Sequence, residues 1–473
     1  MHLAAQSPAL EGFLYGDQAA PTGKEWESVE ELSLNKEQPH AYFFSFESVE
    51  SARKFLPENS KYWQSLNGTW KFHWAPNPDE RPKDFFQPGF DATTWDDLAV
   101  PSSWNIAGIQ KDGSQKYGTP IYVNQPVIFQ HRVAVGDWKG GVMRTPPTHW
   151  TTYNHRNEVG SYLRTFEVPA EWDGREVFIT FDGVDSFFYL WINGQYVGFS
   201  KNSRNAAEFN ITKYLHDGPN TVAVEVYRSN DGSFLEAQDM FRLPGIFRTV
   251  ALHSRPQVRI RDLVVKPDLD ENYRDGMLNI TAELTNASKK NVKGLQMRYS
   301  LYSHELYDDN NTLAVKYRNT LTANLEKLGG KGVLSASFTV SEPRKWSAEA
   351  PYRYTLVAEL LDKKGRVLET VSTIVGFREV EIKDTKAEDD EFGLAGRYYF
   401  INGKNVKLKG VNRHESHPAV GHAITREMQE EEVMLMKRAN INHVRNSHYP
   451  CDPYWYFLCD KYGIYLEDEA NIE

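Results

Sequence analysis

Three short apolar segments near the end of the chain, each running into polar and titratable residues, restrict its fold more than anything else in the sequence. Val406 to Val411 leads into Asn412-Arg413-His414-Glu415, Ile441 to Arg445 leads into Asn446-Ser447-His448, and Ile464 to Leu466 leads into Glu467-Asp468-Glu469. Helical signals lie between them. Thr425 can cap a helix whose Met428, Leu435, Met436 and Ala439 recur at helical spacing, and Pro453 to Tyr462 reads as a second helix closed by Gly463. Strands alternating with helices, with chemistry-bearing groups at every strand's C-terminal end, form the pattern of a (β/α)8 TIM barrel. The first three βα units fit within residues 383–473. Eight strands must close for a barrel interior to fill, and three would leave long unpaired edges. We therefore expect an incomplete barrel here, truncated from a longer polypeptide.

The residues before 383 follow a different grammar. Residues 1–50 are polar and rich in Glu, Pro and Gly, and are expected to form an arm without a core of its own. Residues 51–255 alternate as β-strands, with Val222, Val224 and Val226 on one face. Phe187 to Ile192 and Gln195 to Phe199 flank Asn193-Gly194, the turn dipeptide that best tolerates two positive φ angles. Many short strands joined by polar turns predict a β jelly roll. In residues 256–382, Leu334, Ala336, Phe338 and Val340 alternate, as do Tyr354, Leu356, Ala358 and Leu360, which predicts an immunoglobulin-like β-sandwich without the paired cysteines of an antibody domain.

Charge and composition exclude several roles. A net charge of -10, from 54 Lys and Arg against 64 Asp and Glu, leaves no clustered basic surface for phosphate, so nucleic acid is not an expected partner. No run approaches the roughly 20 apolar residues of a membrane-spanning helix. Aromatic residues make up 13% of the chain, which suits sugar stacking and β-rich cores equally. Cys451 and Cys459 are too few for a disulfide framework and are expected as buried free thiols. Met1-His2-Leu3-Ala4-Ala5-Gln6 lacks the charged and apolar regions of a signal peptide; read as the remnant of one, it favours a periplasmic or exported protein over a cytoplasmic one.

Several stretches are similar to bacterial β-galactosidases of glycoside hydrolase family 2. They are Leu66-Asn67-Gly68-Thr69-Trp70-Lys71-Phe72, Val100-Pro101-Ser102-Ser103-Trp104, the run from Asp231 to Met240, Gly245-Ile246-Phe247-Arg248, Trp346-Ser347-Ala348-Glu349, Gly376-Phe377-Arg378 and the three barrel strands. The resemblance implies the same order of jelly roll, immunoglobulin-like sandwich and catalytic barrel. It implies that Asp239 reaches the barrel mouth, touches a galactose 6-hydroxyl and helps hold a sodium ion (Na+). A carboxylate suits both tasks, because it accepts from a hydroxyl and ligates a hard cation. By the same resemblance Asn124 contacts the sugar, His414 and His448 meet galactosyl hydroxyls near the transition state, Arg445 lies beside the nucleophile, and Glu473 is a magnesium (Mg2+) ligand. Asp468 and Glu469 read as ordinary solvated charges, and Trp455 and Tyr456 as helix packing.

The resemblance also implies what lies elsewhere. A retaining glycosidase uses two carboxylates about 5 to 5.5 Å apart. In the family both lie on later barrel strands, beyond residue 473, so this chain alone is expected not to turn over a β-galactoside. Residues 130–160 form a longer segment than the family suggests, either a surface loop or a reshaping of the sugar site, with the surface loop expected. A homo-oligomer follows from the resemblance only. Two other functions stay open: a non-catalytic carbohydrate-binding or assembly module, and, within enzymes of this architecture, a β-glucuronidase or β-mannosidase. Asp239 weighs against glucuronate, because a carboxylate near the 6-position would repel it.

Overall fold

A computed structural model describes residues 12–123, 157–236, 238–288, 290–309, 312–314, 328, 330–388, 393 and 395–472. Asn124, Glu473 and residues 130–156 of the long segment lie outside the described residues.

Alternating apolar residues in the first half of the chain close two sheets over one core. The larger sheet runs in the order Phe13–Leu14, Ser33–Leu34, Gln195–Ser200, Phe187–Ile192, Asn220–Tyr227, Val159–Phe166, Gly68–Ala75 and Asp96–Val100. The smaller comprises Ala207–Asn210, Glu176–Phe181, Val250–Arg255 and Trp63–Ser65. Val222, Val224 and Val226 point between the sheets with Trp70, Phe72, Trp104 and Tyr162. The hairpin at Asn193-Gly194 forms as expected, with φ of 51° and 79° at its two central residues.

The second unit packs a three-stranded sheet (Val258–Leu269, Gly276–Asn286, Lys331–Val340) against a five-stranded one. The five-stranded sheet contains Gln296–His304, Tyr354–Leu361 and Val367–Val375, and Ser45–Phe46 adds its edge strand. The residues that alternate in the sequence, from Leu334 to Val340 and from Tyr354 to Leu360, fill the core between these sheets. The N-terminal arm therefore does more than lie over a surface. Ser33–Leu34 extends a sheet of the first sandwich, Ser45–Phe46 extends one of the second, and Leu34 and Phe43 enter their respective cores.

Glu369 locks these units together. Its buried carboxylate accepts from Arg255 Nε at 3.2 Å, the Ile260 amide at 2.7 Å and the Ser45 hydroxyl at 2.5 Å, joining the first sandwich, the second and the arm.

After a short antiparallel hairpin, the chain changes to parallel strands Gly410–Arg413, His443–Asn446 and Tyr465–Glu467 in adjacent register. The first begins at Gly410 rather than Val406, because Asn442 occupies the backbone ahead of it. Its side chain accepts from the Lys409 amide at 2.7 Å and donates to the Lys407 carbonyl at 3.1 Å, replacing ladder bonds. Thr425 caps the helix Arg426–Arg438 by accepting from the Met428 amide at 3.3 Å. The buried face of that helix carries Gln429 and Val433, whereas Leu435 is 52% exposed. The apolar spacing alone placed Leu435 inward; packing on the sheet rotates the helix instead. The second helix, Pro453–Tyr462, buries Trp455, Phe457, Leu458 and Cys459, and both cysteines are free and buried.

Gly463 ends this helix at φ 73°, where a Cβ would stand 2.5 Å from the Ala348 carbonyl oxygen. Gly463→Ala is expected to cost at least about 1–2 kcal/mol through the left-handed backbone alone. A lower midpoint in urea unfolding of the variant checks this; an unchanged midpoint would contradict it.

Candidate active site at the strand ends

The parallel sheet has two unlike faces. Arg413, Val444 and Asn446 turn toward the helices: Arg413 stacks 3.8 Å over Trp455 and pairs with Glu432 at 2.7 Å, and Asn446 accepts from Trp455 Nε1 at 3.0 Å. Strand alternation sends Asn412 and Arg445 to the opposite face. The residues immediately after the strands complete a cluster on that side.

In that cluster Glu469 is the hub. Its Oε1 accepts from Arg445 Nε at 2.5 Å and also lies 2.5 Å from Nη2. Its Oε2 is 3.2 Å from His448 Nδ1, which in turn is 3.1 Å from Arg445 Nη2. The imidazoles of His414 and His448 meet edge to face with centroids 5.3 Å apart. Burial, together with the fields of His448 and Arg204, pushes the His414 imidazole below its ordinary pKa, while Asp239 pulls it back. A His414 imidazole that disfavours positive charge suits contact with neutral hydroxyls.

Asp239 comes from the first sandwich, on a loop tied at both ends. Asn230 caps the turn Asp231–Phe234 in a reciprocal pair with Ser233, and Arg242 donates to the carbonyls of Glu236 and Gln238. Gln238 reaches the barrel by donating to the His448 carbonyl at 3.5 Å. Asp239 itself is exposed, and no hydrogen bond ties it to another described residue. Its lone pairs are thus available to a hydroxyl or a hard cation. Among the described residues no group of three His, Cys, Asp or Glu side chains is placed to hold a metal ion.

The structure thus brings together His414, His448, Arg445 and Asp239. It corrects the reading of Glu469 as a solvated charge, while Asp468 is exposed as that reading expects but is also hydrogen-bonded. Asp468 accepts from Asn446 Nδ2 at 3.0 Å and from the Tyr456 hydroxyl at 2.9 Å, so Tyr456 supports the strand end as well as packing the helix. Strand alternation places Glu467 outward, but the chain turns after it, and no periodicity reports where the next two side chains go.

Beneath the cluster lies a junction between domains that motif reading left without a role. Arg248 and Glu415, both almost fully buried, pair at 2.5 Å. Arg248 also donates to the carbonyls of Arg204 at 2.8 Å, Pro450 at 2.7 Å and Asp182 at 3.2 Å. Arg204 lies 4.2 Å over the Tyr449 ring and 4.7 Å over Phe247. His422 sits between the carbonyls of Glu415 and Phe241 at 2.6 and 3.0 Å. The signal was in the motifs, where Arg248 closes Gly-Ile-Phe-Arg and Glu415 follows His414.

Glu236, at the base of the Asp239 loop, accepts from the Ser203 amide at 3.0 Å and its hydroxyl at 2.7 Å. Burial raises its carboxyl from 4.5 to about 7. A raised carboxyl pKa stabilises the folded form fully below the unfolded value, and that contribution is lost as pH rises. Between pH 4.5 and about 7 the loop is therefore expected to loosen through this group. Glu236→Gln should flatten that slope in a pH series of thermal midpoints; an equally steep variant would refute the assignment.

Three consecutive family models match the chain: "Glycosyl hydrolases family 2, sugar binding domain" over residues 63–256, "Glycosyl hydrolases family 2" over 258–378, and "Glycosyl hydrolases family 2, TIM barrel domain" over 393–473. A β-galactosidase of Priestia megaterium is 43% identical over 451 residues, covering 95% of this chain and 40% of that protein. A β-galactosidase of Halalkalibacterium halodurans is 38% identical over 445 residues, covering 94% of this chain and 39% of that protein. The chain thus spans about two fifths of the length of the curated relatives it matches. A Bacteroides uniformis β-glucuronidase structure shares the fold, with a TM-score of 0.66 at 24% identity over 87% of this chain and 42% of its own. The order of the two sandwiches and the parallel unit coincides with the order of the matched domains, and the chain belongs to glycosyl hydrolase family 2.

Proposed function

We propose that this chain supplies the sugar-facing front of a retaining β-galactosidase acting on terminal, non-reducing β-D-galactose. The observation that carries this reading is the edge-to-face contact of His414 and His448 at adjacent strand ends, with Asp239 of the preceding sandwich within electrostatic reach of His414. The names of the relatives support galactose as the sugar. In this reading His414 and His448 hold galactosyl hydroxyls, Asp239 and Asn124 orient the ring, and Arg445 stands beside the nucleophile. Positioning of this kind contributes by holding the sugar in a reactive geometry. The two catalytic carboxylates belong to later strands of the same barrel, one protonating the leaving oxygen and later activating water, the other forming the glycosyl-enzyme. A sodium ion at Asp239 and a magnesium ion at Glu473 would add fixed positive charge that orders these groups.

The test compares the 473-residue chain with the polypeptide that continues past Glu473, on aryl β-galactoside, β-glucuronide and β-mannoside. Turnover by the longer form alone, with galactoside preferred, is expected. Activity of the shorter chain free of host enzyme, or a preference for glucuronide, would sink the proposal.

A further inference from the structure

Glu469 holds two groups of the cluster at once, and its geometry decides which nitrogen of His448 carries the proton. We propose that Glu469 is a positioning residue that fixes His448 in the tautomer protonated on Nδ1, so that Nε2 offers its lone pair to a sugar hydroxyl. The consequence for the sugar rests on the reading of His448 given above; the tautomer does not.

His448 Nδ1 has a donor on one side, Arg445 Nη2 at 3.1 Å, and an acceptor on the other, Glu469 Oε2 at 3.2 Å. Both cannot be satisfied by a neutral ring. The guanidinium has other acceptors: Nε and Nη2 converge on Glu469 Oε1 at 2.5 Å, and Nη1 reaches Asn412 Oδ1 at 3.5 Å. Among the described residues Oε2 has only His448. An unprotonated Nδ1 would set its lone pair against a carboxylate oxygen in a half-buried site. A protonated Nδ1 makes a charge-assisted hydrogen bond to Oε2 instead; donation from the Arg445 guanidinium to a bare Nδ1 would be charge-assisted too, but Arg445 keeps Oε1 without it, whereas Oε2 would be left with a lone pair facing it. The carboxylate therefore wins. The other charged and titratable groups around the pair are His414 at its edge, with Asp239 and Arg204 acting on His414 from the first sandwich.

Glu469→Gln separates the two cases. Arg445 retains the amide oxygen, which leaves the amide NH2 facing Nδ1 and demands an acceptor there. The ring then moves its proton to Nε2, as happens when a carboxylate that orients a histidine becomes an amide. The measurement is the ¹⁵N shift pattern of the imidazoles in histidine-labelled protein, with the His448 signals assigned by their loss in His448→Asn. The expected result is Nδ1–H in the parent, Nε2–H in Glu469→Gln, and an unchanged thermal midpoint. An Nε2–H ring in the parent, or one that does not move in the variant, would overturn the proposal. In the polypeptide that continues past Glu473, Glu469→Gln should lower kcat/KM for an aryl β-galactoside by about 10- to 100-fold. If Glu469→Gln keeps full activity while His448→Ala loses it, the positioning role fails and the sugar-site reading stands. If neither loses activity, that reading fails.

Discussion

Replacing Arg248 with Met is expected to weaken the attachment of the barrel strands to the first sandwich by about 3–5 kcal/mol, the cost of leaving one partner of a buried ion pair uncompensated. The pair is nearly inaccessible on both sides, and among the described residues Glu415 keeps one other donor to its carboxylate, the Asp452 amide at 2.8 Å. The carbonyls of Arg204, Pro450 and Asp182 lose their guanidinium donor in the same step. Because the loss falls on one junction, local opening is the quantity to follow. Amide exchange in Gly410–Arg413 and His443–Asn446 should accelerate about a hundredfold to a few thousandfold, since each 1.4 kcal/mol is tenfold. Adding Glu415→Gln removes the stranded charge while preserving an acceptor for Asp452. Exchange in the double variant should fall back toward the parent. If the two losses simply add, the ion pair is not what holds the junction.

The second large effect concerns the imidazoles. In a longer polypeptide that carries the complete barrel, His414→Ala and His448→Ala are each expected to lower kcat by about 10²–10³-fold, the range for removing a group aimed at the transition state. Neither should shift the thermal midpoint much, because both side chains are only partly buried and neither belongs to a hydrophobic core. A rise in KM with kcat unchanged would mean that the rings bind ground state and transition state alike, and a loss that tracks unfolding would argue that the pair is structural. The two losses should also not add. The rings touch, so removing one relaxes the other.

The sequence showed its architecture wherever one period dominated. Alternation placed Val222, Val224 and Val226 between sheets, Asn193-Gly194 set a hairpin, and Gly463 stopped a helix. It also placed His414, Arg445 and His448 at strand ends, because a strand's last residues must emerge at its C-terminal edge. What it did not show depended on neighbours remote in the chain. Glu469 lies past the end of its strand, where no period applies, and its partners are 21 and 24 residues away. Arg248 and Glu415 are 167 residues apart, and each alone reads as a surface charge. Leu435 fitted the helical spacing and still faces outward, since the sheet rather than the helix decides which stripe is covered.

The arm strand at Ser45–Phe46 sets a timetable for synthesis. Its hydroxyl partner, Glu369, lies 324 residues later, and its ladder partner is the strand Val367–Val375. At about 5–20 residues per second, a nascent chain waits roughly 15–65 seconds for that strand to appear. The first sandwich can assemble during this interval, but the segment joining it to the second must remain without its partner. That stretch carries Tyr42, Phe43, Phe44 and Phe46, so Phe43 and Phe46, buried in the finished fold, lack their cover until the strand arrives. Closure of the arm is then among the last events, after both sandwiches exist.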